Sequence, residues 1–403
     1  MDRFETDILV AGGGVAGLAA AAAFAARGFA VTCVDPVPPV TEAEAAGSDL
    51  RSTALLQPSV ALLRAAGLWE RLAPHAAPLR LMRIVDAGGR EPVVRRTADF
   101  ASDEVGAEAF GYNLPNWLLR REMVAHLAAL PRARLLAPAR VEGITPRDRL
   151  ALARLADGRQ IAARLVVAAD GRDSAVRAGL GIGVRRWSYG QKAVVFTTRH
   201  ERPHDGVSTE IHRTGGPFTL VPLPDQDGAH RSAVVWMERG PRAADLAAMA
   251  VPDFEAALNE RGCDLLGPLT LEGRRLVWPI IAQIADRLEG PRTALVAEAA
   301  HVVPPIGAQG LNMSLADIGT LVALAGEAEA AGDDIGAPDL LARYGRVRHP
   351  EMVARVLGID LLNRAAMAEA QPLRDLRLAG LRALHGLSPL RRAVMRLGLG
   401  AGA

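Results

Sequence analysis

The chain has 403 residues, half of them hydrophobic and 23% charged, with a formal net charge of +2. That length exceeds the roughly 250–300 residues at which a single core stops growing, so two domains are expected, and the composition excludes a disordered or fibrous chain. The near-neutral balance gives no global field that would recruit nucleic acid, although the cations are almost all arginine and Lys192 is the sole lysine.

Cys33 and Cys263 stand far apart in no metal-ligand spacing, so neither a disulfide framework nor a metal site is expected, and a cytoplasmic setting fits. Ile8 to Val31 is apolar for long enough to span a bilayer. The acidic "MDRFETD" before it and the Gly-Gly-Gly run within it argue against a signal or membrane helix.

"TDILVAGGGVAGLAAAAAFAARGFAVTCVD" reads as strand, glycine turn, alanine-rich helix and second strand closing on Asp35. Gly12, Gly14 and Gly17 form G-x-G-x-x-G, with Val15 and Ala16 at the helix start. The first glycine permits the turn, the second admits a pyrophosphate and the third lets helix and strand pack closely. Exposed amides at the helix start meet phosphate charge, and Asp35 can accept from ribose hydroxyls. A glycine turn without ligand is the bland alternative, and the acid at the second strand's end counts against it. No second fingerprint occurs in a strand-to-helix setting, so one dinucleotide is held firmly.

A Pro- and acid-rich loop follows over Pro36 to Asp49, then a helix is expected over Ser59 to Leu72, strands at "LRLMRIVDAGG" and "EPVVRR", and a helix at "NWLLRREMVAHLAAL". "RLVVAAD" is a short buried run of the parallel-sheet kind. It leads into Asp170, Gly171 and a helix capped by Asp173 or Ser174; a helix-entry device and a ligand contact are both open for Asp170. Between Trp187 and Trp236 alternating pieces predict an antiparallel sheet facing substrate.

"TALVAEAAHVVPPIGAQGLN" returns the chain to the first domain. Its strand is expected to carry Glu298 to the carboxyl edge of the sheet, where open α/β folds bind ligands. Pro304 and Pro305 stiffen the exit, Gly307 and Gly310 loosen the backbone, and a helix from Gln309 presents amides suited to an anionic oxygen. Long helices are expected at Gln309 to Glu329 and Pro338 to Ala370. Leu373, Leu376, Leu384 and Leu387 then recur at helical spacing beside Arg374, Arg377, Arg382, Arg391, Arg392 and Arg396, which reads as a basic helix against an anionic surface, an interior-facing helix or a partner surface.

These elements, in this order, resemble the FAD-dependent aromatic hydroxylases with the para-hydroxybenzoate hydroxylase fold. "LARYGRVRHPEMVARVLGIDLLNR" and the arginine-rich C-terminal stretch resemble the ubiquinone-biosynthesis hydroxylases among them. The resemblance implies an α/β fold: a Rossmann-type FAD-binding domain over 1–75, 111–183 and 286–335, inserted substrate-domain strands over 76–110 and 184–285, and C-terminal helices over 336–403. It implies FAD held by the glycine fingerprint, Asp35, Arg51, Arg120 (with Arg121 as rival), Asp170, Gly171, Glu298, Gly307, Gln309, Gly310, Leu311 and Asn312, with Pro305 toward substrate.

The family's usual Gly-Asp pair is Ala297-Glu298 here, and its Ala-Gly-Gln-Gly is Gly307-Ala308-Gln309-Gly310. By the same resemblance the reaction uses molecular oxygen and NAD(P)H or another donor. It passes through a flavin C4a-hydroperoxide and hydroxylates a prenylated phenol, without metal or nucleic acid, with the protein peripheral on the inner face of the membrane or in a quinone-biosynthesis complex. His301 either relays a phenolic proton or packs beneath the flavin loop. A flavin halogenase using Lys192, a prenyl reductase and a non-catalytic scaffold are the rival readings.

Overall fold

The computed structural model describes residues 3–89, 93–368, 370–386 and 388–399. Its first sheet runs, in spatial order, Glu289–Gly290, Thr293–Leu295, Gln160–Ala168, Arg3–Ala11, Val31–Val34 and Ala133–Leu136, with an antiparallel branch of Val141–Pro146 and Ala151–Leu155 against Gln160–Ala168. Pairing is parallel from Thr293–Leu295 through to Ala133–Leu136. Sheets of this kind are buried on both faces, which is why "ILVA" and "LVVA" carry no polar alternation.

The helix Val15–Ala26 is apolar around nearly its whole circumference and buried from Val15 to Phe24 apart from Ala16. Its small alanines let it lie close to the sheet while the helices Asn116–Ala129 and Gln309–Ala331 pack over it. The expected helix over Ser59 to Leu72 forms as two pieces, Gln57–Ala65 and Trp69–Leu72, broken at Gly67 with φ 70°.

The second sheet runs His301–Val302, Leu269–Ala285, Val184–His200, Ala229–Arg239, Pro217–Gln226, Val207–His212, Leu81–Asp86 and Arg96–Ala101. It is antiparallel apart from one parallel pair, Val207–His212 with Leu81–Asp86. A strand is found not at "EPVVRR", of which residues 91–92 lie outside the described residues, but from Arg96 onward. Alternation along Val184–His200 sends Val194 and Phe196 into a core covered by the helices Gly240–Ala248 and Val251–Gly262. The sequence reading contained neither helix. Ala193 and Val195 take the opposite face, with Met237, Ile280, Val235 and Trp278. A small sheet of Ser52–Leu56, Gly111–Pro115 and Ala77–Leu79 lies between the two large ones in the chain path.

The long C-terminal helix ends at Ala366 rather than Ala370, and Gln371–Gly386 and Ser388–Leu399 follow. Met395 packs with Phe100 and Phe110, and Arg391 pairs with Glu104. Leu373 and Leu376 stay exposed, so the leucines of this segment do not share one buried stripe. Leu387 and the side chains of Arg377 and Leu384 lie outside the described residues.

Candidate functional site

Parallel pairing brings the glycine turn, Asp35, Asp170 and Glu298 to one edge. Ala11 is in register with both Val34 and Ala168, and Ala168 with Leu295, so the four strands end side by side. The chain leaves each of them at the same carboxyl edge.

The glycines have separable roles. Gly12 takes φ 110°, and a Cβ there would lie 2.2 Å from the Ala169 carbonyl oxygen. A Cβ on Gly17 would fall 1.8 Å from the Gly12 oxygen, so helix and turn touch backbone to backbone. A Cβ on Gly14 would meet nothing within 4 Å. The space in front of Gly14 is therefore open, at the start of a helix with no side-chain cap. Val15 and Ala16 supply the first helical amides. Asp35 lies over this turn, its Oδ2 accepting from the Gly13 amide at 2.5 Å and its Oδ1 from the Val37 amide at 2.8 Å.

Asp170 accepts from the Ser174 hydroxyl and, at 3.1 Å, from the Val176 amide. Ser174 caps the helix Ala175–Gly179 by accepting from the Arg177 amide, so the Asp170 carboxylate is engaged in helix entry. Gly171 makes the turn at φ 86°.

Glu298 stands at the expected edge, but not on the strand itself. The strand stops at Leu295, and Glu298 sits in the short 3-10 turn Ala297–Ala299, because Ala297 takes a left-handed φ of 56° that ends the extended run. Its side chain is 43% exposed, and its carboxylate accepts from Arg172 Nε at 3.3 Å. Ala308 repeats the anomaly at φ 56°, directly before the helix Gln309–Ala331, which also lacks a side-chain cap. Two alanines thus hold the conformation glycine prefers.

The loop between them exposes Pro305 and Gly307, and the first turn of the helix exposes Gly310 and half-buries Leu311. Asn312 is buried and accepts from the Leu56 amide and the Ser59 hydroxyl while donating to the Ala54 and Ala308 carbonyls. Its side chain ties the loop to the neighbouring strand. Gln309 donates to the carbonyls of Gly307 and Gly398 and accepts from Arg355.

Of the two readings of His301, relay or packing, its surroundings bear on the second. Its ring is 2% exposed and its Nε2 lies 2.7 Å from Asp317 Oδ2. The packing role beneath the loop is the one the geometry favours.

Arg51 stands with a group that sequence reasoning missed. Asp49 is 4% exposed and accepts from Arg51 Nε and Nη2 at 2.8 and 2.7 Å and from Asn116 at 3.0 Å; Arg120 Nη2 is 3.7 Å away. Burial works to raise the Asp49 carboxyl, but Arg51, Asn116 and Arg120 take it below the ordinary value. The Arg51 guanidinium also lies 4.2 Å from the centre of the Trp278 ring, joining the loop to the second sheet. Arg120 Nε is buried with no hydrogen-bond partner among the described residues, whereas Arg121 turns to Glu122 and Trp117. Arg120 is thus the arginine in this cluster. The signal for Asp49 lay in "DLR", an acid two residues before the arginine. Trp278 and Arg172 carried no signal of their own.

A family model described as an FAD binding domain matches residues 5–357. The chain belongs to that family of FAD-dependent monooxygenases. The monooxygenase is 37% identical over 397 residues to the ubiquinone hydroxylase UbiL of Rhodospirillum rubrum, covering 98% of this chain and 89% of the relative. It is 28% identical to the 3-demethoxyubiquinol 3-hydroxylase of Escherichia coli, covering 99% of this chain and all of that one. In fold it is similar to the p-nitrophenol 4-monooxygenase PnpA of Pseudomonas putida, with a TM-score of 0.79 at 19% identity over 99% of each chain. It is also similar to PqsL of Pseudomonas aeruginosa, with a TM-score of 0.76 at 23% identity over 94% and 99%.

The residues present fit FAD. The open space at Gly14, the half-exposed Glu298, the orphaned Arg120 Nε and the uncapped start of Gln309–Ala331 are the features an anionic dinucleotide would use.

Proposed function

We propose that the monooxygenase hydroxylates the aromatic ring of a prenylated phenol in ubiquinone biosynthesis, drawing electrons from NAD(P)H or another donor. The observation that carries this reading is the near full-length similarity to the ubiquinone hydroxylase UbiL, together with four strand ends that share one edge. Bound FAD, once reduced, supplies the electrons that activate molecular oxygen for insertion into an electron-rich ring.

The chain's own residues bind, orient and exclude water. The Gly12–Gly17 turn would take the pyrophosphate, Asp35 would accept from a ribose hydroxyl, and Glu298 would accept from the ribityl chain. Amides at the start of Gln309–Ala331 would stabilise negative charge on the flavin ring. Ala193, Val195, Met237 and Ile280 form a buried apolar sheet face edged by Trp278 and Arg51, beside which the phenol's ring would be held away from water.

No helix among the described residues is long and apolar enough to cross a membrane. Exposed Leu357, Leu361 and Leu362 share the helix Pro338–Ala366 with exposed Arg364, and exposed Leu373 and Leu376 share Gln371–Gly386 with exposed Arg382, which supports peripheral attachment to an anionic membrane face.

The test is aerobic turnover of a prenylated phenol by purified, yellow, FAD-loaded protein, with the product mass raised by one oxygen. Reduced flavin consumed equally well without oxygen would point to a reductase, and a protein that stays colourless after FAD is added would point to a scaffold.

A further inference from the structure

A cleft of about 320 Å³ opens where the helix Pro338–Ala366 gives way to Gln371–Gly386, and Ser188, Tyr189, Arg364, Met367, Ala368 and Leu373 line it. Its floor is fixed: the Tyr189 hydroxyl donates to Asp360 at 2.6 Å, and Trp187 Nε1 donates to the same oxygen at 2.8 Å. Its one cation is already paired, since Arg364 Nε donates to Asp360 at 2.9 Å. An anion would gain little there, and an uncharged chain would lose nothing.

Two further features give the cleft a direction. Tyr189 packs against the same apolar patch as Trp278, Met237 and Val195, the patch beside Arg51, so one ring belongs to both the cleft and the site. A bulge between Ser188 and Lys192, with Gly190 at φ 68°, bends the strand at that point. At the other end Leu373 is 53% exposed, and Leu361, one turn before Arg364, is 68% exposed. Apolar packing is thus continuous from Trp278 through the buried patch to Tyr189, and the cleft beyond it ends at an apolar, arginine-fringed surface.

We infer that this cleft receives the isoprenoid tail of the substrate. The inference rests on the hydroxylase reading above and names where the non-reacting part of that molecule lies. Tyr189 and Met367 give the tail its apolar walls, and Leu373 stands where the tail leaves for the bilayer.

The test compares two phenols of the same ring, one carrying a farnesyl chain and one a methyl group, on FAD-loaded full-length protein. Ala368→Trp fills the cleft, and Leu373→Asp places a charge at its mouth on an exposed residue that folding tolerates. Either variant is expected to lower the farnesyl-over-methyl ratio of kcat/KM about tenfold, and to weaken farnesyl-phenol binding in equilibrium dialysis by a similar factor, with FAD still bound. An unchanged ratio and unchanged binding in both variants overturns the cleft while leaving the hydroxylase reading intact. Native protein that binds farnesyl phenol in an Ala368-dependent way yet oxidises neither phenol upholds the cleft and overturns the hydroxylase reading.

Discussion

His301 and Asp317 form a buried pair, Nε2 to Oδ2 at 2.7 Å, and the second oxygen of Asp317 accepts from Arg348 Nε at 2.9 Å. Arg348 reaches Glu351, Glu351 pairs with Arg355, and Arg355 donates to Gln309. The chain of contacts therefore begins just after Glu298 and ends at the first residue of the loop-closing helix. Burial opposes the charge on Arg348, but Asp317 and Glu351 raise its pKa. Asp317→Asn removes one of the two carboxylates that face buried Arg348 and leaves Glu351, and a loss of about 1–3 kcal/mol in urea denaturation is expected. His301→Gln keeps a hydrogen-bonding end in the core, so kcat for product formation is expected to remain near the native value. A steep fall in kcat with FAD still bound would restore the proton relay.

Asp49 sets a pH dependence. Its carboxyl lies below the ordinary value because Arg51, Asn116 and Arg120 outweigh the effect of burial. A depressed folded-state pKa contributes stability that is fully present above the unfolded value, about 3.9, and is lost as pH falls through the folded value. The difference in Tm between native protein and Asp49→Asn is therefore expected to be constant near neutrality and to shrink progressively below about pH 4. The same variant frees Arg51 from its carboxylate, and weaker FAD binding at neutral pH is expected by fluorescence titration. A Tm difference independent of pH would mean that the carboxylate's charge is not what matters.

Much of this site could be read from the chain because its chemistry is local. A glycine at a fixed spacing after a strand has only a few backbone uses, so Gly12, Gly14 and Gly17 announce themselves, and the acid closing the second strand has one direction to face. Glu298 was legible as to edge but not as to conformation, since a left-handed alanine has no signature in sequence. Contacts assembled across long separations were silent: Trp278 meets Arg51 only because two sheets meet, and Asp317 finds His301 only through helix packing. The apolar run at Ala243 to Leu258 lies on helices because its burial is against a sheet face, which single-residue patterns did not reveal.

Ala297 and Ala308 test the left-handed turns. Both have φ 56°, where an L-residue pays roughly 1–2 kcal/mol that glycine does not, while glycine loses about 0.4–1 kcal/mol in extra unfolded-chain freedom. Ala297→Gly and Ala308→Gly are each expected to stabilise the protein by about 0.5–1 kcal/mol in chemical denaturation. Ala297→Gly with Glu298→Asp restores the family's usual pair, and FAD affinity at least equal to native is expected in titration. A destabilised Ala297→Gly would mean that surrounding contacts of the methyl group outweigh the backbone term.

Gly14 and Gly17 separate binding from folding. A methyl at position 17 would enter the Gly12 carbonyl at 1.8 Å, so helix and turn must part; Gly17→Ala is expected to cost the upper end of roughly 1–3 kcal/mol for overpacking, with or without FAD. A methyl at position 14 meets nothing within 4 Å of the protein. Gly14→Ala should therefore melt at the native temperature in the absence of FAD and show a much smaller rise in Tm when FAD is added, because the methyl stands where backbone and pyrophosphate must approach. Thermal scans of both variants with and without FAD give the four numbers needed. Native-like stabilisation of Gly14→Ala by FAD would place the pyrophosphate away from this turn, and the assignment of Asp35 to the ribose would go with it.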